Sequence, residues 1–345
     1  MKLKGPMMVL IALLSMGDGL AQRPAFWPDT VRSEIVETAT LKMQVYHAGE
    51  SGIPVIIMQD MHDYFDPTPK WDDPQTQAGW IANGAGHRDF VAKLGERYQV
   101  FAPIRRGYGE TEDPGGGYDV ASTGRDLISL LNASDIEQAI FVGRTPSQNE
   151  MIWLAENHPE RMAGMILLDG MVQPLVDLSN PDFFAFASGW WRGSRDLAST
   201  DERIDQLTAE RLGGYVPDFL SDDSVRIDVP TLYLEGHVAF EGQWMWSNLY
   251  RFERRAVEQC VEVTDAYPCS VFGDAERVAR LDALFDNHPM QGMVAAGRAR
   301  MQEQFSDFTI SNYPHGQQMV DDLWGDYLER IQPFLKRIEA ETGPG

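Results

Sequence analysis

Cysteine is nearly missing from this chain: its 345 residues include two, Cys260 and Cys269. Two thiols with no histidines beside them give too few soft ligands for a structural zinc site, so no metal centre is expected. Basic residues are scarce, 29 against 52 acidic ones, and the formal charge of -23 repels phosphate backbones and anionic bilayers. Nucleic acid is therefore not an expected partner, and the acidity reads as solubility rather than as substrate choice. Beyond the N-terminus no stretch is long and uncharged enough to span a bilayer, which argues against a membrane span. No internal repeat or low-complexity tract breaks the chain.

What is present begins with an export signal. Residues 1–21 open with Lys2 and Lys4, run through the apolar Met7 to Leu14 and close on Gly19-Leu20-Ala21, a small-x-small cleavage pattern. The mature chain is expected to start at Gln22, in the periplasm or outside the cell. Export implies an oxidising compartment, where Cys260 and Cys269 are expected to close a small disulfide loop.

Residues 33–47 alternate apolar and polar side chains, with Ile35, Val36, Leu41, Met43, Val45 and Tyr46 as the apolar members, which predicts a hairpin at a sheet edge. Pro54 to Met58, Tyr98 to Ile104, Ala139 to Val142 and Met162 to Leu168 are instead unbroken short apolar runs, as expected of strands covered on both faces. Between them the spacing predicts helices over Val120 to Leu131 and Glu150 to Glu156. Strand and helix in alternation argue for an α/β domain with a mostly parallel, doubly wound sheet. A polar segment dotted with Phe183, Phe184, Phe186, Trp190 and Trp191 then reads as an inserted helical cap over 171–228. The core resumes over 229–345 with the strand Val229 to Leu234, a second interruption at about 240–304 that holds the cysteines, the segment Phe308 to Ser311 and a helix near Leu323 to Ile338.

The chemistry concentrates where the run Ala139 to Val142 meets Gly143-Arg144-Thr145-Pro146-Ser147 and then a helix. Together with Arg105-Arg106-Gly107-Tyr108-Gly109, Gly117-Tyr118-Asp119, His158-Pro159-Glu160-Arg161, Leu167-Leu168-Asp169, Val229-Pro230-Thr231 and Tyr313-Pro314-His315-Gly316, this strand, turn and helix resembles the α/β-hydrolase superfamily, particularly exported bacterial members. The resemblance covers most of residues 41–170. It implies a catalytic triad and an oxyanion hole at the strand ends, with Thr145 in the nucleophile slot, His315 in that of the general base and Asp169 as the acid. The usual acid position after Val229 to Leu234 holds Ala239.

Several positions depart from the family pattern Gly-x-Ser-x-Gly. Thr145 replaces the serine, and its extra methyl restricts the rotamers of the attacking oxygen. Pro146 stands where the family's backbone NH donates to the oxyanion, and proline has none to lend; one lost donor costs about 100- to 1000-fold in rate. Ser147 replaces the second glycine and reads as a helix-start serine. The other oxyanion donor would come from the loop Gln59-Asp60-Met61-His62-Asp63, where Asp60 and Asp63 oppose a developing negative charge.

Three functions follow from these residues. The first is a noncatalytic or weak relative of ester and amide hydrolases that keeps a cleft for a small apolar or acyl-type molecule. The second is an active hydrolase of small esters, amides or lactones that uses Thr145, His315 and Asp169. The third is a protein-binding module whose anchors would be Trp190, Trp191, Trp244 and Trp246, with a partner the residues do not identify. No cofactor is expected.

Overall fold

The computed structural model describes residues 28–59, 86–144, 147–168, 222–236, 269–286, 289–313 and 323–342, with short pieces at 181–183, 185–186, 218, 250–251, 254 and 260. The predicted edge hairpin is present. Strand β1 (Val31–Glu37) pairs antiparallel with β2 (Lys42–Ala48), from Val31 opposite Ala48 to Glu37 opposite Lys42. Thr38 closes the turn between them, its hydroxyl donating to the Leu41 carbonyl at 2.7 Å.

The remaining strands are β3 (Pro54–Ile57), β4 (Gln99–Pro103), β5 (Ala139–Arg144), β6 (Met162–Leu168), β7 (Thr231–Gly236) and β8 (Phe308–Tyr313). They complete an eight-stranded sheet in the order β1-β2-β4-β3-β5-β6-β7-β8. β2 meets β4 antiparallel, and every pairing from β4 onward is parallel.

The unbroken apolar runs have the predicted physical cause. Ile56, Phe141, Met165, Leu167 and Tyr233 are buried in one layer. Their neighbours Val55, Ile57, Ile140, Val142, Ile166, Leu168, Leu232 and Leu234 are buried in the other. Each fully buried aliphatic side chain contributes roughly 1.5–3 kcal/mol, so a strand covered on both faces needs apolar residues at successive positions.

The first layer is closed by α1 (Val120–Ala133) and α2 (Ser147–Asn157), through Leu127, Leu130, Met151, Ile152 and Leu154. The second is closed by the helical stretch 86–95, through Phe90, Val91 and Leu94, and by α6 (Leu323–Thr342), through Tyr327, Ile331, Phe334 and Leu335. Helix α2 starts three residues earlier than the apolar spacing predicts. Its first turn, Ser147, Gln148, Asn149 and Glu150, is buried although wholly polar, so burial there leaves no apolar signal.

The motif fragments outside the strand ends are structural. Asp119 caps α1, accepting from the Ser122 amide at 2.9 Å. Arg106 forks onto Asp126 with two bonds of 2.7 Å and donates to the Gly116 carbonyl at 3.0 Å. Gly117 beside it has φ +70, and a Cβ there would lie 2.7 Å from the Arg106 guanidinium. Arg161 ties the turn before β6 to the end of α1 through the carbonyls of Ile136 and Glu137 and the side chain of Asn132.

The two interruptions of the strand series meet each other. Helices α3 (Cys269–Phe272), α4 (Ala275–Asp286) and α5 (Pro289–Gln304) all lie between β7 and β8. Phe183 and Phe186, from between β6 and β7, pack with Tyr250, Phe272 and Phe285 from after β7. Tyr250 stacks on Phe285 at 4.3 Å and donates its hydroxyl to Asp282 at 2.7 Å. Asp182 pairs with Arg280 at 2.6 Å. The predicted Cys260–Cys269 disulfide is formed and fastens the start of α3.

Candidate functional site at the strand ends

The carboxyl ends of β3, β5, β6, β7 and β8 lie side by side. The Met58 amide donates to the Val142 carbonyl at 2.8 Å, Arg144 pairs with Leu168, Leu168 with Leu234, and Gly236 with Tyr313. Open parallel sheets bind their ligands just beyond such ends. The predicted site residues follow these ends in the chain: Asp60 and Met61 after Gln59, Thr145 and Pro146 after Arg144, Asp169 after Leu168, and His315 two residues after Tyr313. All six lie outside the described residues. So do the predicted leader 1–21, most of the predicted cap 171–228 and the four tryptophans offered as anchors.

The frame around position 145 is described on both sides. A Cβ on Gly143 would lie 2.5 Å from Ser147 Oγ, 2.8 Å from Met151 Sδ and 3.1 Å from Met58 Cβ, so only glycine lets α2 approach β5 this closely. The Ser147 hydroxyl is fully buried and donates to the Arg144 carbonyl. This is the helix-start serine read from the sequence, committed to the backbone rather than available for attack.

Sequence reasoning missed a buried ionic network behind this frame. Arg105 lies two residues past the end of β4, and its Nε donates to Glu150 Oε1 at 2.8 Å while Nη2 donates to Glu150 Oε2. Its Nη1 donates to the Gln59 carbonyl, and its backbone amide donates to Gln59 Oε1 at 2.8 Å. The side chains of Arg105 and Glu150 are 7% and 1% exposed, so the pair is held almost without water. Gln148, two residues before Glu150, donates to the Leu168 carbonyl at 3.0 Å and fixes α2 to β6. Gln59, Arg105, Arg106, Asp126 and Glu150 line a cavity of about 20 Å3, room for about one water molecule. The one sequence signal was Glu150 opening a run of residues spaced to be buried.

On the opposite face, His87, Gly143, Arg144, Met58 and Leu168 line a smaller cavity of about 10 Å3. His87 is fully buried, and burial together with the charges of Arg144 and Arg88 lowers its pKa to about 3, so the imidazole is neutral. Burial also lowers Arg88 to about 10, still well above neutral pH. Near the end of β7, Glu235 is buried and pairs with Arg298 of α5; burial raises its pKa, partly offset by that arginine. Among the described residues no three histidine, cysteine or acidic side chains gather as metal ligands, and no helix is long and apolar enough to cross a membrane.

No family model matches the chain. It is 28% identical over 157 residues to epoxide hydrolase A of Mycobacterium tuberculosis, a match covering 45% of this chain and 42% of that protein. It is 30% identical over 91 residues to a non-heme chloroperoxidase of Streptomyces lividans, covering 26% of this chain and 33% of that one. The chain thus spans less than half the length of either relative. Among solved structures it is similar to a serine hydrolase involved in carbazole degradation, with a TM-score of 0.52 and 14% identity over 89% of this chain and 99% of the other. Likeness at that identity speaks for the fold, and the strand order agrees with it. With this sheet and these neighbours, the chain has the α/β-hydrolase fold, and its likeness in sequence to proteins of the α/β-hydrolase superfamily covers part of its length.

Proposed function

We propose that this is an exported α/β-hydrolase-fold protein, cleaved near Ala21, that keeps a strand-end cleft for a small apolar or acyl-type molecule but has weak or no acyl transfer through Thr145. Its core would comprise 22–170 and 229–345, with a cap over 171–228. One observation carries the reading: the helix start after position 145 is committed to structure. Ser147 gives its hydroxyl to the Arg144 carbonyl, Gln148 holds the Leu168 carbonyl, and Glu150 holds Arg105. Pro146 in the same turn has no NH for an oxyanion. Retention of so much buried polar structure around a turn without its catalytic donor suits a binding site better than an acyl-transfer site.

The test compares the purified protein with Thr145→Ala on activated short-chain esters. Equal, near-background rates and no labelling by a fluorophosphonate are expected. A turnover above about 1 per second that Thr145→Ala or His315→Ala abolishes would instead establish a hydrolase working through Thr145, His315 and Asp169, since median enzymes turn over near 10 per second. The names of the relatives favour that second reading. Thr145→Ser alone is expected to stay near background, because nucleophile, base and oxyanion donors act as a unit. The combination Thr145→Ser, Pro146→Met, Ser147→Gly and Asp60→Gly is expected to gain esterase activity and covalent labelling. Equal activity in the single and combined variants would show that the oxyanion hole was never impaired.

A further inference from the structure

The geometry points to Arg105 as a positioning residue that sets the distance between the end of β3 and the first turn of α2, and so the shape of the cleft. The inference rests on the reading that ligands bind at the strand ends. Three chain segments border that place in the described structure: residues 58–59 after β3, residue 144 before position 145, and residues 147–150 after it. β3 and β5 are held to each other by the ladder that ends at the Met58 amide. The helix start is not part of that ladder and needs its own tether.

Arg105 supplies one. Its guanidinium spans from the Gln59 carbonyl to both oxygens of Glu150, and its backbone amide holds the Gln59 side chain. A planar fork of fixed geometry sets both separation and angle, which a lysine ammonium cannot do. Because α2 is also tied to β6 through Gln148, moving its first turn would break bonds on two sides. A buried ion pair is seldom kept for stability alone, since apolar residues of similar volume often serve as well. What apolar residues cannot reproduce is the bridge to the Gln59 carbonyl.

That difference supplies the test. Arg105→Met leaves Glu150 buried without this partner, so the variant to compare is Arg105→Met with Glu150→Met, which carries no orphan charge and should keep its melting temperature within a few degrees of the wild type. Hydrogen exchange is read at residues 57–59 and 147–151, with β4 and β6 as internal controls. Positioning predicts at least 10-fold faster exchange at those two segments in the double variant, less than 2-fold change in the controls, and an intermediate result for Arg105→Lys. Unchanged exchange at both segments, or equal acceleration across the sheet, would overturn the proposal.

A second readout uses the combined variant described above. There, adding both methionine changes should lower the second-order fluorophosphonate labelling rate per folded molecule at least 10-fold, and an equal rate would overturn the proposal. If the combined variant itself fails to label, the account of the missing catalytic parts is at fault, and exchange alone decides the role of Arg105.

Discussion

His87 is a histidine that folding strips of its proton. In the unfolded chain it titrates near 6.5, whereas in the fold burial, Arg144 and Arg88 hold it near 3. Between those values the unfolded state binds the extra proton, so the stability contribution of His87 is present above about pH 6.5 and is lost as pH falls toward 3. Urea melts at pH 5 and pH 6 should show His87→Gln losing less stability than the wild type over that step, by about 1 kcal/mol; parallel losses would mean that the imidazole is not held neutral. Gly143 gives a second expectation. Gly143→Ala drives a methyl against Ser147 Oγ and Met151 and should cost about 1–3 kcal/mol in a denaturant melt. Adding Ser147→Gly removes the nearest atom, so the double variant should lose less than the sum of the two single losses; additivity would place the clash elsewhere. Neither effect was legible in the sequence. Glycine before the expected nucleophile was recognised by resemblance, but which atom it makes room for depends on a helix start hidden by its own buried polar residues.

At the scale of elements, the short helix α3 depends on its covalent anchor. Cys269 begins it, Val271 and Phe272 bury its inner side, and Phe272 touches Phe186 from the other side of β7. Opening the Cys260–Cys269 loop with Cys260→Ser and Cys269→Ser should cost roughly 2–3 kcal/mol by the chain-entropy model. Hydrogen exchange should rise first in α3 and α4 and leave β4, β5 and β6 unchanged; acceleration spreading into the sheet would show that the loop supports the core. Phe186→Ala removes a fully buried ring from the same cluster and should cost about 3–5 kcal/mol by thermal or urea unfolding, unless the neighbouring rings collapse into the space. The strands themselves were readable because runs such as Met162 to Leu168 carry burial on both faces in their composition. The contact between the two interruptions was not. The sequence marks Phe183 and Phe186 as aromatics of an inserted segment, but not that their partners come more than 60 residues later, after another strand.

Over the whole molecule, the fold was legible to the level of sheet type and edge hairpin. Unbroken apolar runs mark strands covered on both faces, whereas the alternation over 33–47 did not foretell that β2 is buried from Met43 to Ala48 while β1 is mostly exposed. For the site, resemblance pointed to Thr145, Asp169 and His315, which lie outside the described residues, whereas the described Arg105–Glu150 pair joins residues 45 positions apart that no local pattern links. Export is tested at this scale too, and intact mass of secreted protein should correspond to a chain beginning at Gln22 with both cysteines oxidised; retained residues 1–21 would remove the leader assignment. The aromatic cluster carries one more consequence. Its members are contributed from both sides of β7, so the unit they form has no single pair of cut points in the gene. Grafting residues 171–228 alone onto a related sheet would transplant Phe183 and Phe186 without the rings they rest on. Exchange of this part between relatives therefore has to be a two-piece graft, and mutations at either piece will be tolerated or rejected according to the residues present in the other.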